Sequence, residues 1–188
     1  MSKIRLISGI YGSRFIETPK NNQTHPMGNR ERQAIFNQVA EYLKDAVVLD
    51  AFAGSGAMGF EALSRGAASV DFLENNSVAV KTIKQNAKTL DCELRTKIIR
   101  KIDEEAKYDV IFVDPPYDNP QYSLVEDIAK LLKQDGILIL SHPKSPVPPD
   151  FSNLTLMSDR HYAAACMKIY AGGANYKNSS RQDTLNSV

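Results

Sequence analysis

The sequence predicts an α/β domain built on a mostly parallel seven-stranded sheet, with helices on both faces and an antiparallel hairpin at the carboxyl end. Three observations predict it. From residue 46 onward, short apolar runs alternate with segments of helical periodicity, the pattern of a covered parallel sheet. A glycine-rich turn stands where the first of these runs meets the first helical segment. Two further runs near the end are joined too tightly for a crossover, so they pair antiparallel at the sheet edge.

The elements follow in order. Residues 4–8 and 14–18 flank Gly9-Ile10-Tyr11-Gly12 and read as a small hairpin. Residues 19–28 form a polar loop. Residues 30–43 form a helix with Ile35, Val39, Tyr42 and Leu43 on one face. Strands are expected at 46–51 and 69–74, and helices at 57–65 and 77–90, the latter aligning Val80, Ile83, Ala87 and Leu90. A weak strand at 97–99 precedes a strongly apolar one at 108–114. A helix at 123–132, a strand at 137–141 and hairpin strands at 154–160 and 163–170 complete the sheet. Only residues 100–107 separate the third strand from the fourth, fewer than the dozen or so that a parallel crossover takes. Either the third strand is very short, or the helix is reduced to a turn at 103–107. The chain thus divides into a basic arm at 1–28, a main domain at 29–172 and a polar tail at 173–188 that is expected to be disordered.

Composition narrows the function classes. The 188 residues carry 23 Lys and Arg against 22 Asp and Glu, with 43% hydrophobic residues, ordinary values that exclude collagen-like, coiled-coil and wholly disordered chains. No apolar run reaches the roughly 18 residues of a membrane span. Cys92 and Cys166 alone make neither a disulfide framework nor a four-ligand zinc site. A cytoplasmic monomer without metal is expected. The charge is uneven: residues 1–32 hold six Lys and Arg against two Glu, a basic arm suited to a polyanion such as RNA, or simply a solvated tail.

The glycine turn is the first chemical signal. Asp50-Ala51-Phe52-Ala53-Gly54-Ser55-Gly56-Ala57-Met58-Gly59 ends a strand and opens a helix. Glycines at 54, 56 and 59 let a ligand approach the backbone at a helix N-terminus. Glu74 closes the next strand, where a carboxylate can accept both hydrogen bonds of a ribose diol. An adenosine-bearing cofactor is indicated; the alternative is a tight strand–helix turn with an incidental glutamate. Asp50 beside the glycines would repel a pyrophosphate but suits the ammonium and sulfonium of S-adenosylmethionine.

The second signal is Asp114-Pro115-Pro116-Tyr117, at the end of the strongest apolar strand. An exocyclic base amine is a poor nucleophile, because its lone pair is delocalised into the ring. Two acceptors can hold its hydrogens and aim the nitrogen: the Asp114 carboxylate and the Pro115 carbonyl. The prolines fix φ and bring no competing N–H. Tyr117 offers a ring on which a flipped base can stack. The alternative is a proline turn that merely closes a strand.

Together these residues resemble class I methyltransferases that modify exocyclic amines, with a Rossmann-like sheet. Residues 48–67, Phe72-Leu73-Glu74 and Val113–Tyr117 resemble the RsmD family, which methylates N2 of a guanine in bacterial 16S ribosomal RNA. So do Ile4–Gly9, Arg14, Pro26, Arg30-Glu31-Arg32 and Phe36-Asn37. The resemblance implies that Asp50, Phe52, Gly54, Ser55, Gly56 and Glu74 hold S-adenosylmethionine. It implies that Asp114, Pro115, Pro116 and Tyr117 form the catalytic motif, and that Arg30 and Arg32 lie near the RNA or the cofactor mouth; Arg5 and Arg14 in the basic arm are further candidates for RNA contact. The chain departs from the family at His25-Pro26-Met27-Gly28-Asn29-Arg30, where Arg-Pro-Thr-x-Asp-Arg is usual, at Gln33, usually Glu, and at Ala163, usually Gly. No adenine-contacting residue can be carried over into the short 100–108 segment.

The rival readings are an adenine-N6 methyltransferase on DNA or RNA, and an RNA-binding protein that keeps the fold without turnover. A nicotinamide dehydrogenase is more distant. Tyr11 either stacks on RNA or covers apolar surface; His142, Cys92 and Cys166 read as structural.

Overall fold

A computed structural model describes residues 2–20, 28–162 and 166–173. Strands β1 (Lys3–Arg5) and β2 (Phe15–Glu17) form a two-stranded hairpin, followed by helix α1 (Asn29–Gln38). The main sheet comprises β3 (Val47–Ala51), β4 (Ser69–Leu73), β5 (Thr96–Ile99), β6 (Tyr108–Val113), β7 (Leu132–His142), β8 (Leu154–His161) and β9 (Cys166–Gly172). Helices α2 (Ala57–Ser64), α3 (Ser77–Leu90) and α4 (Tyr122–Ala129) connect them. The strand order is β5-β4-β3-β6-β7-β9-β8. All pairs up to β7 are parallel, and β9 is antiparallel to both β7 and β8.

This is the predicted architecture. The central strands are apolar on both faces because each face carries a layer. One layer packs Phe36, Phe60, Leu63, Ile83 and Leu90 against Val48, Val70 and Phe112. The other packs Val125, Ile128 and Leu131 against Leu49, Ile111 and Leu138.

The chain departs from the expected elements at a few places, and the open alternative for the third crossover is resolved. Helix α1 stops at Gln38, and the expected last turn becomes a single 3-10 turn at Ala40–Tyr42. Helix α4 ends at Ala129 because Leu132 already pairs with Tyr108, so β7 starts five residues early. The third crossover is a turn in which Ala106 N–H donates to the Asp103 carbonyl, and β5 still makes four residue pairs with β4. Of the two options for this segment, the shortened connection is the one adopted. An extended stretch of eight residues can cross the three interstrand spacings of about 4.8 Å each without a helix. Lastly, β9 starts at Cys166; Ala163, the loop centred on residues 21–27 and the tail beyond 173 lie outside the described residues. Among the described residues, no helix is long and apolar enough to cross a membrane, and no group of three or more His, Cys, Asp or Glu is placed to hold a metal ion.

Candidate active site

The parallel order places the ends of β3, β4 and β6 side by side, where the chain reverses direction in the sheet. Ligands of open α/β sheets bind at this carboxyl edge. The glycine turn leaves β3 there. Phe52, Gly54 and Gly56 all have left-handed φ, at 60°, 56° and 78°. Glycine adopts that region freely, whereas Phe52 is held in it at a cost of about 1 kcal/mol. Two bonds hold the strained residue: Phe52 and Ala53 N–H both donate to the Leu73 carbonyl, at 3.1 and 3.3 Å.

Two acidic residues brace this turn. Asp50 is 3% exposed, and its Oδ2 accepts the Gly59 amide at 2.8 Å, satisfying a first-turn N–H that α2 cannot satisfy itself. Burial pushes its carboxyl up to about 8; the Gly59 bond opposes this, and Asp114 and Glu74 add to it. Glu74 spans the mouth: Oε2 accepts Gly54 N–H at 2.8 Å and Oε1 accepts Asn76 N–H at 2.7 Å. A carboxylate has about four acceptor sites, so two remain for a ligand.

The Asp-Pro-Pro-Tyr segment leaves the neighbouring strand. Ala51 pairs with Val113, and Asp114 N–H reaches the Ala51 carbonyl at 3.4 Å. Asp114 is half-buried, and burial raises its carboxyl above the usual range while the Ser141 hydroxyl pulls it back. The Pro116 carbonyl accepts the Asn119 amide at 3.1 Å; among the described residues no backbone N–H donates to Pro115. The Tyr117 hydroxyl and Ser141 Oγ are 2.5 Å apart, and the tyrosine remains 36% exposed. Burial is the main reason its hydroxyl is pushed up to about 12, with the Asp114 charge second. Ser141 therefore anchors Tyr117 and lines the same small cavity as Asp114.

The arginines separate into two kinds. Arg5, Arg14 and Arg30 are exposed. Arg5 donates to Ser13 Oγ at 2.7 Å, and Arg14 donates to the Thr89 carbonyl and lies over the Tyr11 ring. Arg32, expected near the RNA or the cofactor mouth, is 1% exposed. Its guanidinium donates to the Arg5 carbonyl at 2.6 Å and to Asn29 Oδ1 at 2.9 Å, with Glu61 as the nearby counter-charge. It ties the first helix to the arm. Tyr11 is also turned inward, at 6% exposure, with its hydroxyl accepting from Arg95. That favours the packing role over stacking. His142 is 2% exposed, and Cys92 and Cys166 are buried.

Sequence reasoning missed three residues. Ser141 follows an apolar strand and carries no signal alone. Asn86, 1% exposed, accepts Glu17 N–H at 2.8 Å and donates to the carbonyls of Glu17, at 2.9 Å, and Ser55, at 3.0 Å. Its signal was available: a lone amide on the apolar stripe of α3. Glu61, fully buried, accepts the amides of Ile7 and Ser8 at 2.7 and 3.1 Å.

Comparison with known proteins shows the family of the chain. The family described as conserved hypothetical protein 95 is matched over residues 4–171. The chain belongs to this family. Within it, the chain is 27% identical over 183 residues to ribosomal RNA small subunit methyltransferase D of Haemophilus influenzae, covering 89% of this chain and 93% of that one. It is 29% identical over 183 residues to the protein of the same name in Escherichia coli, covering 89% of each. The solved structure of yhhF from Escherichia coli superposes with a TM-score of 0.80 at 26% identity, over 92% of this chain and 99% of that one. The family match includes the hairpin, so the arm belongs to the family's common structure.

Proposed function

We propose that this chain is an S-adenosylmethionine-dependent methyltransferase that modifies the exocyclic N2 amine of a guanine in small-subunit ribosomal RNA. Membership of the family and the names of its relatives support the reaction class and the RNA. One observation carries the chemistry: the Asp114 carboxylate, beside Ser141, adjoins a Pro115 carbonyl to which no backbone N–H among the described residues donates, next to the glycine turn.

The residues at the turn fit the cofactor. Asp50, Glu74 and Asp114 lie close enough for the two others to raise the Asp50 carboxyl, so a cation placed among them is favoured over an anion. Asp50 would face the ammonium, Glu74 would take the ribose diol with its spare lone pairs, and Phe52, Gly54, Ser55 and Gly56 would line the approach. The cofactor supplies a methyl carbon activated by its bond to a sulfonium, a good leaving group, so no metal is called for. Asp114 and Pro115 each accept one hydrogen of the amine, which fixes the direction of its nitrogen. Pro116 keeps the segment rigid, and Tyr117 stacks under the extruded base while Ser141 holds its hydroxyl. Removing the base from its stack is required because the amine is unreachable inside a duplex. Asp114 is placed to receive the proton the amine loses, helped by a carboxyl already raised by burial.

The test is mass spectrometry of 16S ribosomal RNA from cells lacking this chain, followed by transfer of labelled methyl from S-adenosylmethionine with the purified protein. A missing N2-methylguanine, restored by the protein, is expected. A missing N6-methyladenine would move the assignment to the adenine reading, which the same tetrapeptide would serve. RNA binding without cofactor binding would leave only the non-catalytic one.

A further inference from the structure

The hairpin has two unlike faces. Its register pairs Lys3 with Glu17, Ile4 with Ile16 and Arg5 with Phe15. Directly opposed residues share a face, and successive residues alternate. Ile4 and Ile16 are buried in the core, so Lys3, Arg5, Phe15 and Glu17 point the other way. Phe15 is 54% exposed beside Arg5, and Ile10 in the connecting loop is 70% exposed.

The same Arg5 lines a groove of about 360 Å³ together with Ile7, Asn29, Arg30 and Gln33. Among the described residues neither Arg5 nor Arg30 has a carboxylate in ion-pair contact. Glu31, the nearest in sequence to Arg30, is turned back onto the Gly28 amide at 2.9 Å. Beneath the groove the buried Arg32 grips the Arg5 carbonyl, so the platform is anchored. Glu31 is also near enough to Tyr117 to influence its hydroxyl, so this end of α1 stands beside the candidate active site.

We propose that the outer face of the hairpin and the adjoining groove bind an unpaired stretch of RNA flanking the target base. Phe15 stacks under one base, Arg5 and Arg30 contact phosphates, and Asn29 and Gln33 offer hydrogen bonds to a base edge. This rests on the RNA methyltransferase reading above and adds to it that the flanking RNA is single-stranded. Duplex RNA offers phosphates to the arginines but no free base face to Phe15.

The test compares a short single-stranded oligoribonucleotide with the same strand annealed to its complement, by fluorescence anisotropy on the full chain. Single-stranded RNA binds more tightly to the unaltered protein. Phe15→Ala weakens that binding about tenfold, the loss of one stacking contact, and Phe15→Trp restores it. Arg5→Ala and Arg30→Ala each lower the salt dependence by about one counterion. Phe15→Ala melts at an unchanged temperature, because the ring is half in water. Equal affinity for strand and duplex, or an unaffected Phe15→Ala, overturns the proposal. A protein that binds the strand through Phe15 yet transfers no methyl group would sink the enzymatic reading alone.

Discussion

Asn86 Nδ2 donates to the Ser55 carbonyl at 3.0 Å, so a side chain of the third helix holds the centre of the glycine turn. The same amide group clasps both backbone groups of Glu17. The hairpin and the turn thus meet at one buried side chain, and both are shaped before any ligand arrives.

Asn86→Ala leaves two carbonyls and one amide without their partner in the interior. Unsatisfied buried groups cost roughly 1–3 kcal/mol, so thermal melting should show a loss of this size. The KM for S-adenosylmethionine should rise several-fold while kcat changes less, because the turn is loosened and the Asp114 segment is untouched. Steady-state kinetics with cofactor varied at saturating RNA separates the two.

Asp114→Ala removes one of the two acceptors for the amine. Transfer should fall by roughly 10²–10⁴-fold, the range for loss of a positioned proton acceptor, with cofactor affinity within a few-fold of normal by calorimetry. Methyl transfer at the unaltered rate would show that the carboxylate has another task.

With Asp50 facing the ammonium of the cofactor as proposed, cofactor binding depends on pH. Its carboxyl titrates at about 8 in the fold, mainly because it is buried, against 3.8 as an ordinary aspartate. A raised value means that the folded chain keeps a proton that the unfolded chain has released. The stability this group contributes is complete below about pH 4 and is lost as pH rises toward 8. A cation is bound by the ionised form, so affinity for S-adenosylmethionine should fall as pH drops from 8 to 6, by up to tenfold per unit. Asp50→Asn should flatten that dependence and abolish tight binding. At pH 8 it should melt higher by about 2–4 °C, the shift expected of about 1 kcal/mol. Calorimetry in buffers of different ionisation enthalpy should register a proton released by the unaltered protein alone.

Gly59 faces the second strand of the parallel core at close range. A Cβ there would stand 2.4 Å from Phe72 Cε1 and 2.7 Å from Val70 Cγ1. Gly59→Ala should therefore destabilise by about 1–3 kcal/mol. It should also weaken cofactor binding, since its amide is the one Asp50 holds. Melting curves with and without S-adenosylhomocysteine measure both effects.

How much of this was legible depended on whether the cause was local. Helix α3 runs from Ser77 to Leu90 as its periodicity predicts, because its stops are local too: Asn76 caps the start, and Asp91 turns left-handed with φ 58° at the end. The placement of the glycine turn and the Asp-Pro-Pro-Tyr segment at neighbouring strand ends was legible, since strand and turn stand in sequence register. Helix α4 was misjudged at its end because the pairing of Leu132 with Tyr108 is a tertiary contact. The burial of Arg32 was not legible, because nothing in its neighbouring residues signals it. Only the fold brings Glu61 and the Arg5 carbonyl to it. Ser141 gained its meaning from β6 and β7 lying side by side, which no residue near position 141 announces.

Glu61 is a carboxylate with no solvent around it, and it takes the amide protons of residues 54 and 53 positions upstream. Arg65 pairs with it at 2.8 Å, so peeling the hairpin away would leave Glu61 its ion pair but take two of its backbone donors, and arm and sheet should unfold in one cooperative step. Whatever grips the outside of the hairpin therefore pulls on the second helix, and through it on the floor of the catalytic cleft.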